Sequence, residues 1–450
     1  MPSGVGAQSL HLTVKKQITA VTDLTFGDAG KGVSVQRLVG ELNSKLVLRC
    51  GGGAQCAHTV MSPGGATHTF SQFGSASFLG VKTFYGPRAY FNPIIMSLEA
   101  DKLDKKGVPN PKSLFYVHED CLVTTPYHRA LNRLRELARK DNIHGSCGMG
   151  IGETARIALE SPDIAIRVKD LLLPNGYLSI YYEDLNKLMW SEVKKLKGAL
   201  DVTSPLIREE VETFKIEIPK IIEKTKKAIE GITILTKKDT HSFLCGFDQI
   251  VAEGNQGVLL DENYGFHPYT TWSKTTSENV YALAAEYELP HEIKDYGVIR
   301  TFLTRHGPGP FPSENTALTE KFAEVHNTHN QWQRGFRFGY FDTSLINYAI
   351  SVNKGIDGLI VTHCDWLNQA QWCEACGYDG SFQDIPILKY PDLRKQEEIT
   401  NLLLQTRAVL HKDALSKEEV LARIAEVLNT KIVMSADGPE YQKYQLHENV

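Results

Sequence analysis

Apolar residues fall along the chain in short runs that end in polar or glycine-rich turns, and these runs alternate with stretches of helical period. Ile18 to Leu24 is the first run. It ends on Thr25-Phe26-Gly27-Asp28-Ala29-Gly30-Lys31-Gly32, after which a helix is predicted through Leu38. Leu46-Val47-Leu48-Arg49 repeats the form and leads into Gly51-Gly52-Gly53, and Gln249 to Ala252, Gly358 to Thr362 and Lys431 to Met434 follow it again. Between them lie helical patterns. His128 to Lys140 carries Leu131, Leu134 and Leu137/Ala138 on one face, Asp342 to Asn353 is another, and Ser416-Lys417-Glu418-Glu419 has the form of a capping box before Val420 to Leu428. Strands that alternate with helices, with the unusual residues just after strand ends, predict an α/β fold built on a large, mainly parallel central sheet flanked by helices. The charged stretch Arg208 to Glu230 alternates apolar and charged residues and reads as a solvated helical excursion. No internal repeat or low-complexity linker divides the chain. Residues 17–450 are therefore expected to form one domain with helical insertions, preceded by an N-terminal extension over 1–16.

Composition narrows the class. The 450 residues are 42% hydrophobic and 23% charged, with a formal net charge of -4, so no basic footprint for nucleic acid exists. No run approaches the roughly 18 apolar residues of a membrane span, and no apolar leader follows Met1 to Gly6. The eight cysteines are scattered, which suits a reducing compartment. A cytoplasmic protein that acts on small molecules is the expectation. Cys373-Glu374-Ala375-Cys376, with His363 and Cys364 upstream, has no second pair of matching spacing, and these cysteines read as structural rather than as zinc ligands.

The first glycine-rich turn carries the chemistry. Phosphate binding needs backbone N–H groups crowded round an anion and a cation near the transferred phosphoryl group. Gly27, Gly30 and Gly32 supply room, Lys31 supplies charge, and Asp28 adds a carboxylate able to hold Mg²⁺ or take a proton. The spacing is not that of a Walker A loop: Asp23 stands where its first glycine would be, and Val33 where Ser or Thr would follow.

Four more segments accompany this turn: Gly51-Gly52-Gly53 leading to Gln55-Cys56-Ala57-His58-Thr59; Gly145-Ser146-Cys147-Gly148-Met149-Gly150-Ile151-Gly152; Glu253-Gly254-Asn255-Gln256-Gly257 running through Asp261 to Thr271 and Thr276; and Thr304-Arg305-His306-Gly307-Pro308-Gly309-Pro310-Phe311-Pro312. In order and sequence the five resemble the adenylosuccinate synthetase family, whose versions read roughly G-D-E-G-K-G, G-G-x-N-A-G-H-T, G-T-T-x-x-G-I-G-P, E-G-A-Q-G-x-L-L-D and T-R-V-G-x-G-P-F-P. The resemblance runs from about Ile18 to about Pro439. It implies a P-loop-related fold, a homodimer and a Mg²⁺-dependent two-step reaction. GTP or ATP phosphorylates the 6-oxygen of a purine nucleotide, and the amine of aspartate then displaces the phosphate.

The resemblance also implies site roles. Asp28 is the base, and Lys31, His58 as proton donor and Gln256 near the 6-oxygen complete the catalytic set. Gly27, Gly30, Gly32, Thr59 and Gly438 hold the triphosphate; Gln55, Cys147 and Thr271 hold the acceptor nucleotide; Asp28 and the backbone of Ala57 hold the metal. Arg334 and Arg337 are forks for the amino acid's carboxylate, and Asp365 with His363 recognises the donor's base.

Departures from the family pattern gather in the pockets. Gln55 replaces an asparagine, Ala57 a glycine, and Cys147 a phosphate-contacting threonine. No arginine occurs within 160–164, where the family's partner-subunit arginine for the 5′-phosphate falls. Phe336 takes one arginine position of the amino-acid loop, and Thr362-His363-Cys364-Asp365 replaces T-K-L-D. Some of these changes resemble the phage-type 2-aminoadenylosuccinate synthetases that act on dGMP. Those enzymes carry a small residue at the position of Asp28, so retention of the carboxylate here favours a purine without a 2-amino group, such as IMP or dIMP. The same chemistry on GMP, dGMP or another acceptor or amine donor, and a non-catalytic nucleotide-binding regulator, stand as alternatives.

Overall fold

The structure is a computed structural model, which describes residues 15–447 apart from Pro63, Asp141, 323–331, 333–334 and 381–383. A ten-stranded sheet runs through the molecule. In spatial order its strands are Tyr444–Leu446, Ile432–Ala436, Gly358–Thr362, Glu292–Arg300, Gln17–Asp23, Gln249–Gly257, Leu46–Arg49, Lys82–Tyr85, Phe115–His118 and Thr233–Leu235. Every pairing is parallel except the first, where Tyr444–Leu446 turns back antiparallel on Ile432–Ala436. The mainly parallel α/β architecture predicted from the apolar runs is the one observed.

Helices cover both faces of the sheet, and that explains why its strands read as continuous apolar runs. Ile18 and Ala20 point into one core with Leu46, Leu48, Ile250 and Leu283, while Val21 packs on the other face with Val33, Leu38, Phe73 and Phe115. A third core, around Leu24, Phe26, Phe341 and Leu345, lies beneath the segments that follow the strand ends.

Element limits differ from the sequence expectation by a few residues. The first helix continues past Leu38 to span Lys31–Glu41; another occupies Pro126–Ala138, starting at a proline suited to its first turn. Asp342 is the cap of Thr343–Val352 rather than part of it, its carboxylate accepting the Leu345 N–H at 3.0 Å. The Ser416–Glu419 capping box is present ahead of Lys417–Val427. The charged excursion forms Pro205–Glu212 and Ile218–Ile229, and it buries more than a solvated excursion would: Ile207, Ile221 and Ile222 join the large core. Among the described residues no helix is long and apolar enough to cross a membrane.

Ligands of open parallel sheets bind beyond the carboxyl ends of the strands. Here Asp28, Gln55, Gln256, His363 and Gly438 each follow or end a strand at that edge, on five strands of the sheet with Glu292–Arg300 interposed between Gly358–Thr362 and Gln17–Asp23.

Candidate active site

The first strand ends on Asp23, whose fully buried carboxylate shapes the turn that follows. Oδ1 accepts the Thr25 N–H at 2.8 Å and hydroxyl at 2.7 Å; Oδ2 accepts the Ala29 N–H at 2.9 Å and the Lys31 ammonium at 2.8 Å. Burial pushes this carboxyl upward, but the charge and hydrogen bond of Lys31 outweigh it and hold Asp23 below the usual carboxylate value. Gly27, Asp28 and Gly30 all have positive φ, so the chain winds tightly round the Asp23 carboxylate into the start of the first helix. Gly30 at φ 88° is that helix's cap and needs the glycine backbone.

The neighbouring strand Gln249–Gly257 closes on this turn. Gly257 lies so near that a Cβ would run into the Thr25 carbonyl and the Gly27 amide, which is why no side chain fits there. The parallel register pairs Val21 with Glu253 and, after a shift, Asp23 with Gly257. Glu253, Asn255 and Gln256 are thereby set beside the glycine turn. Asn255 Nδ2 donates to Ser273 Oγ and to the Lys274 carbonyl, both at 2.9 Å, and the Gly52 N–H donates to the same Ser273 Oγ at 3.0 Å. These bonds draw the second glycine turn and the segment carrying Thr271 onto the same strand end.

His58 opens the hairpin formed by His58–Met61 and Thr67–Phe70. Its Nδ1 contacts Glu253 Oε1 in a short bond, and its Nε2 lies 3.2 Å from the Asn255 carbonyl. Burial pushes the imidazole below its ordinary value, against the hydrogen bond and charge of Glu253. Glu253 is desolvated too, yet the buried Arg49 guanidinium, His58 and Ser75 bring its carboxyl down to about 2.

A cavity of ≈ 380 Å³ opens beside this cluster. Gln55, Cys147, Thr271 and Gln256 all line it, so the three acceptor residues and one catalytic residue expected from the sequence meet at a single space. Cys56 Sγ donates to Gln256 Oε1 at 3.4 Å, joining the two glutamine-bearing loops. Both polar atoms of the Gln55 amide are buried with no protein partner among the described residues. His306 lines the cavity as well, with Nε2 3.5 Å from Asp28 Oδ2. Burial raises the Cys147 thiol to about 11, so it stays a neutral donor.

The remaining expected residues are distributed round this centre. Lys31 is 2% exposed and bound to Asp23 rather than open to the cavity. The Thr59 hydroxyl meets that of Thr69 at 3.0 Å, and Ala57 is exposed beside His58. Thr362 Oγ1 donates to the Ala29 carbonyl at 2.8 Å and so anchors the strand end carrying His363 and Asp365 to the glycine turn. His363 has positive φ and packs edge-on against Trp366; burial, then Arg300, holds its imidazole well below the ordinary value. Asp365 is pushed upward by burial and by Asp437, and its Oδ1 is buried with no protein partner among the described residues. Gly438 follows the strand Ile432–Ala436 at the same edge. Arg337 gives Nε to the Gly307 carbonyl and Nη2 to the Gly309 carbonyl, each at 3.0 Å, and Nη1 to Glu314 at 2.6 Å. Arg334 lies outside the described residues.

Sequence reasoning assigned no role to Asp23, Arg49, Ser75, Glu253 or His306, nor to Arg135, Arg139 and Arg156 on the cavity wall. Each of those three wall arginines is paired with a glutamate: Arg135 and Arg156 share Glu153, and Arg139 meets Glu136. One signal was available. Asp23 and Arg49 are charged residues that close apolar strands, a position at which a charge is kept only if something pairs with it.

For a metal, the residues offer one partly exposed carboxylate, Asp28, and the backbone carbonyl expected of Ala57 in a separate segment. Among the described residues no group of three or more His, Cys, Asp or Glu stands together as a cage. A single carboxylate at a phosphate turn fits Mg²⁺, which keeps waters and takes oxygen from substrate phosphates instead of filling a protein cage.

A family model described as adenylosuccinate synthetase matches residues 20–444. An adenylosuccinate synthetase of Neisseria meningitidis serogroup C is 27% identical over 444 residues, covering 93% of this chain and 95% of the relative. One of Psychromonas ingrahamii is 26% identical over 454 residues, covering 94% and 97%. Among solved structures, a fully ligated adenylosuccinate synthetase from Plasmodium falciparum superposes with a TM-score of 0.76 at 19% identity, covering 96% of this chain and all of that one. The succinoaminodeoxyadenylate synthetase of cyanophage S-2L, bound to dGMP and to dATP as an energy donor, gives 0.58 at 14% identity, covering 96% and 95%.

Proposed function

The chain belongs to the adenylosuccinate synthetase family and is a carbon–nitrogen ligase, and from that premise we propose that it joins aspartate to an IMP-like purine (deoxy)nucleotide with GTP or ATP as phosphoryl donor. The observation that carries this reading is one cavity walled by Gln55, Cys147, Thr271, Gln256 and His306, with Asp28 against His306, and the His58–Glu253 pair and the Lys31–Asp23 pair buried behind it.

The residues divide the work as the chemistry requires. A lactam oxygen is a poor nucleophile until N1 loses its proton, and Asp28 is the carboxylate placed to take it. The amides of the glycine turn and the charge of Lys31 hold the triphosphate while its terminal phosphoryl group passes to the 6-oxygen. His58 donates toward the charge that develops there, and the Gln256 amide orients the same oxygen. The aspartate amine then attacks C6 and the phosphate leaves. Asp28 and the Ala57 carbonyl would hold Mg²⁺, which supplies neutralisation of phosphate charge when bound. Gln55 recognises the acceptor with its two unpartnered polar atoms, and Asp365 with His363 meets the donor's base.

Arg337 and Arg334 are assigned to the carboxylates of the amine donor. In this structure Arg337 is paired with Glu314, so a ligand's carboxylate would take Arg337 by replacing that ion pair. A cytoplasmic homodimer completes the reading; the exposed Leu159, Leu172, Tyr177 and Ile180 are apolar surface available to a second copy.

The test is an incubation with Mg²⁺, aspartate, GTP or ATP and each of IMP, dIMP, GMP and dGMP. An N6-succinyl product released with one phosphate per turnover is expected from IMP or dIMP. Phosphate release without any succinyl product would overturn the proposal, and a product from dGMP alone would transfer it to a 2-aminopurine acceptor.

A further inference from the structure

Glu253 is given neither a proton nor a ligand to handle in the scheme above, yet it is the carboxylate in direct contact with the proton-donating histidine. It sits on the central strand Gln249–Gly257, and its side chain is wholly buried. Three donors fix it. The Ser75 N–H reaches Oε2 at 2.9 Å, the Ser75 hydroxyl reaches Oε1 at 2.5 Å, and His58 Nδ1 shares that same Oε1. The cation offsetting its charge is Arg49, also buried, whose guanidinium is held by the Phe73 carbonyl at 3.3 Å and the Cys56 carbonyl at 3.1 Å. Ser75, Arg49 and Glu253 come from three separate segments of sequence, and none reaches the cavity. What they have in common is His58.

Resting on the function proposed above, we propose that Glu253 is the positioning residue of His58. It accepts the Nδ1–H and thereby fixes both the plane of the ring and the nitrogen left to exchange a proton. That nitrogen is Nε2, which lies against the Asn255 carbonyl, one residue before the cavity-lining Gln256. In this structure Nε2 is within donating distance of the Asn255 carbonyl, and a reacting oxygen would take its N–H in that carbonyl's place with the ring plane unchanged; a carboxylate behind an imidazole offsets the positive charge that the ring carries while acting as a donor. Glu253 itself exchanges no proton with the substrate. Gly32 takes part passively, since a Cβ there would press on His58 Cβ and Ser75 Oγ, the two side chains that must close on Glu253.

The experiment compares wild type, Glu253→Gln and Ser75→Ala in steady-state kinetics with IMP, aspartate, GTP and Mg²⁺, alongside a ¹⁵N spectrum of the histidine rings. Glu253→Gln keeps the volume of the side chain, so it is the variant of choice if Glu253→Ala does not fold. The expected result is a fall in kcat on the order of 10²-fold, the scale of a general acid's contribution. KM for the nucleotide should stay within about twofold, and Ser75→Ala should give a smaller fall of the same kind. In the wild-type spectrum His58 should carry its proton on Nδ1, and Glu253→Gln should shift that resonance. An unchanged kcat in Glu253→Gln, a rise in KM alone, or a bare Nδ1 in the wild type would overturn the inference. A wild type inactive toward every acceptor would instead defeat the proposed function, and the ¹⁵N spectrum would still decide whether Glu253 fixes the ring.

Discussion

The cluster of Asp28, Lys31 and His58 and the cavity that carries Gln55 lie side by side but are built on opposite principles. In the first, charged groups already have protein partners: Lys31 is on Asp23, His58 on Glu253, Glu253 on Ser75. In the second, polar groups wait. The Gln55 amide is buried without a protein partner among the described residues, and so is one oxygen of Asp365, beyond a strand end farther along the same edge of the sheet. Leaving a buried polar atom unpaired costs about 1–3 kcal/mol, so such atoms mark the places where a ligand completes the structure. The machinery is organised in advance, and recognition is left for the substrates to satisfy.

The widest break in this contrast would come from Asp28→Asn. It should lower kcat by on the order of 10²–10⁴-fold while circular dichroism and the thermal midpoint stay near wild type. Turnover near normal would remove Asp28 from the role of base. Next in size is Asp23→Asn. It leaves the Lys31 ammonium buried without its counter-charge and should cost about 3–5 kcal/mol of unfolding free energy in urea titration.

Acid sensitivity should follow from the same buried carboxylates. Glu253 is held at about 2, below the ordinary value of 4.5, and Asp23 is also depressed. Folded groups with depressed pKa bind fewer protons than the unfolded chain, so their contribution is complete above about pH 4.5 and lost as pH falls through the folded values. The urea midpoint should therefore drop steeply between about pH 4.5 and pH 2, and Glu253→Gln should flatten that limb. Gln55→Leu belongs to the other region. It should raise the acceptor's KM about tenfold, the equivalent of about 1.4 kcal/mol, with little change in stability. Smallest of all, Asp365→Asn should change the ratio of kcat/KM for GTP over ATP a few-fold and leave the acceptor's KM alone; equal ratios would separate Asp365 from base recognition.

Much of this was legible in the sequence. The apolar runs at Ile18, Leu46 and Gly358 fall on the strands Gln17–Asp23, Leu46–Arg49 and Gly358–Thr362, because strands buried on both faces have no polar side to interrupt them. Asp28, Lys31, His58 and Gln256 stand in short motifs whose backbone demands are written in their glycines. The charged run Arg208 to Glu230 was less legible. Its apolar positions are sparse, and only docking against the helix Asn175–Leu196 shows that Ile221 and Ile222 belong to a core. The wall arginines were also hidden, since Arg135 and Arg156 are surface-like residues until two helices place them on one carboxylate, Glu153.

The sequence by itself determined the alternation of strand and helix, the family, and the residue types able to move a phosphoryl group and a proton, because those depend on local period and local motif. Tertiary structure alone decided which of them meet. The parallel register that sets Val21 against Glu253 brings a strand from beyond residue 249 to the first glycine turn. Through that contact Gly27 of the glycine turn comes to lie against Gly257, and His58 acquires Glu253. Pairings of this kind join positions some two hundred residues apart, a separation across which no periodicity in the chain carries information, and they form only when the sheet closes.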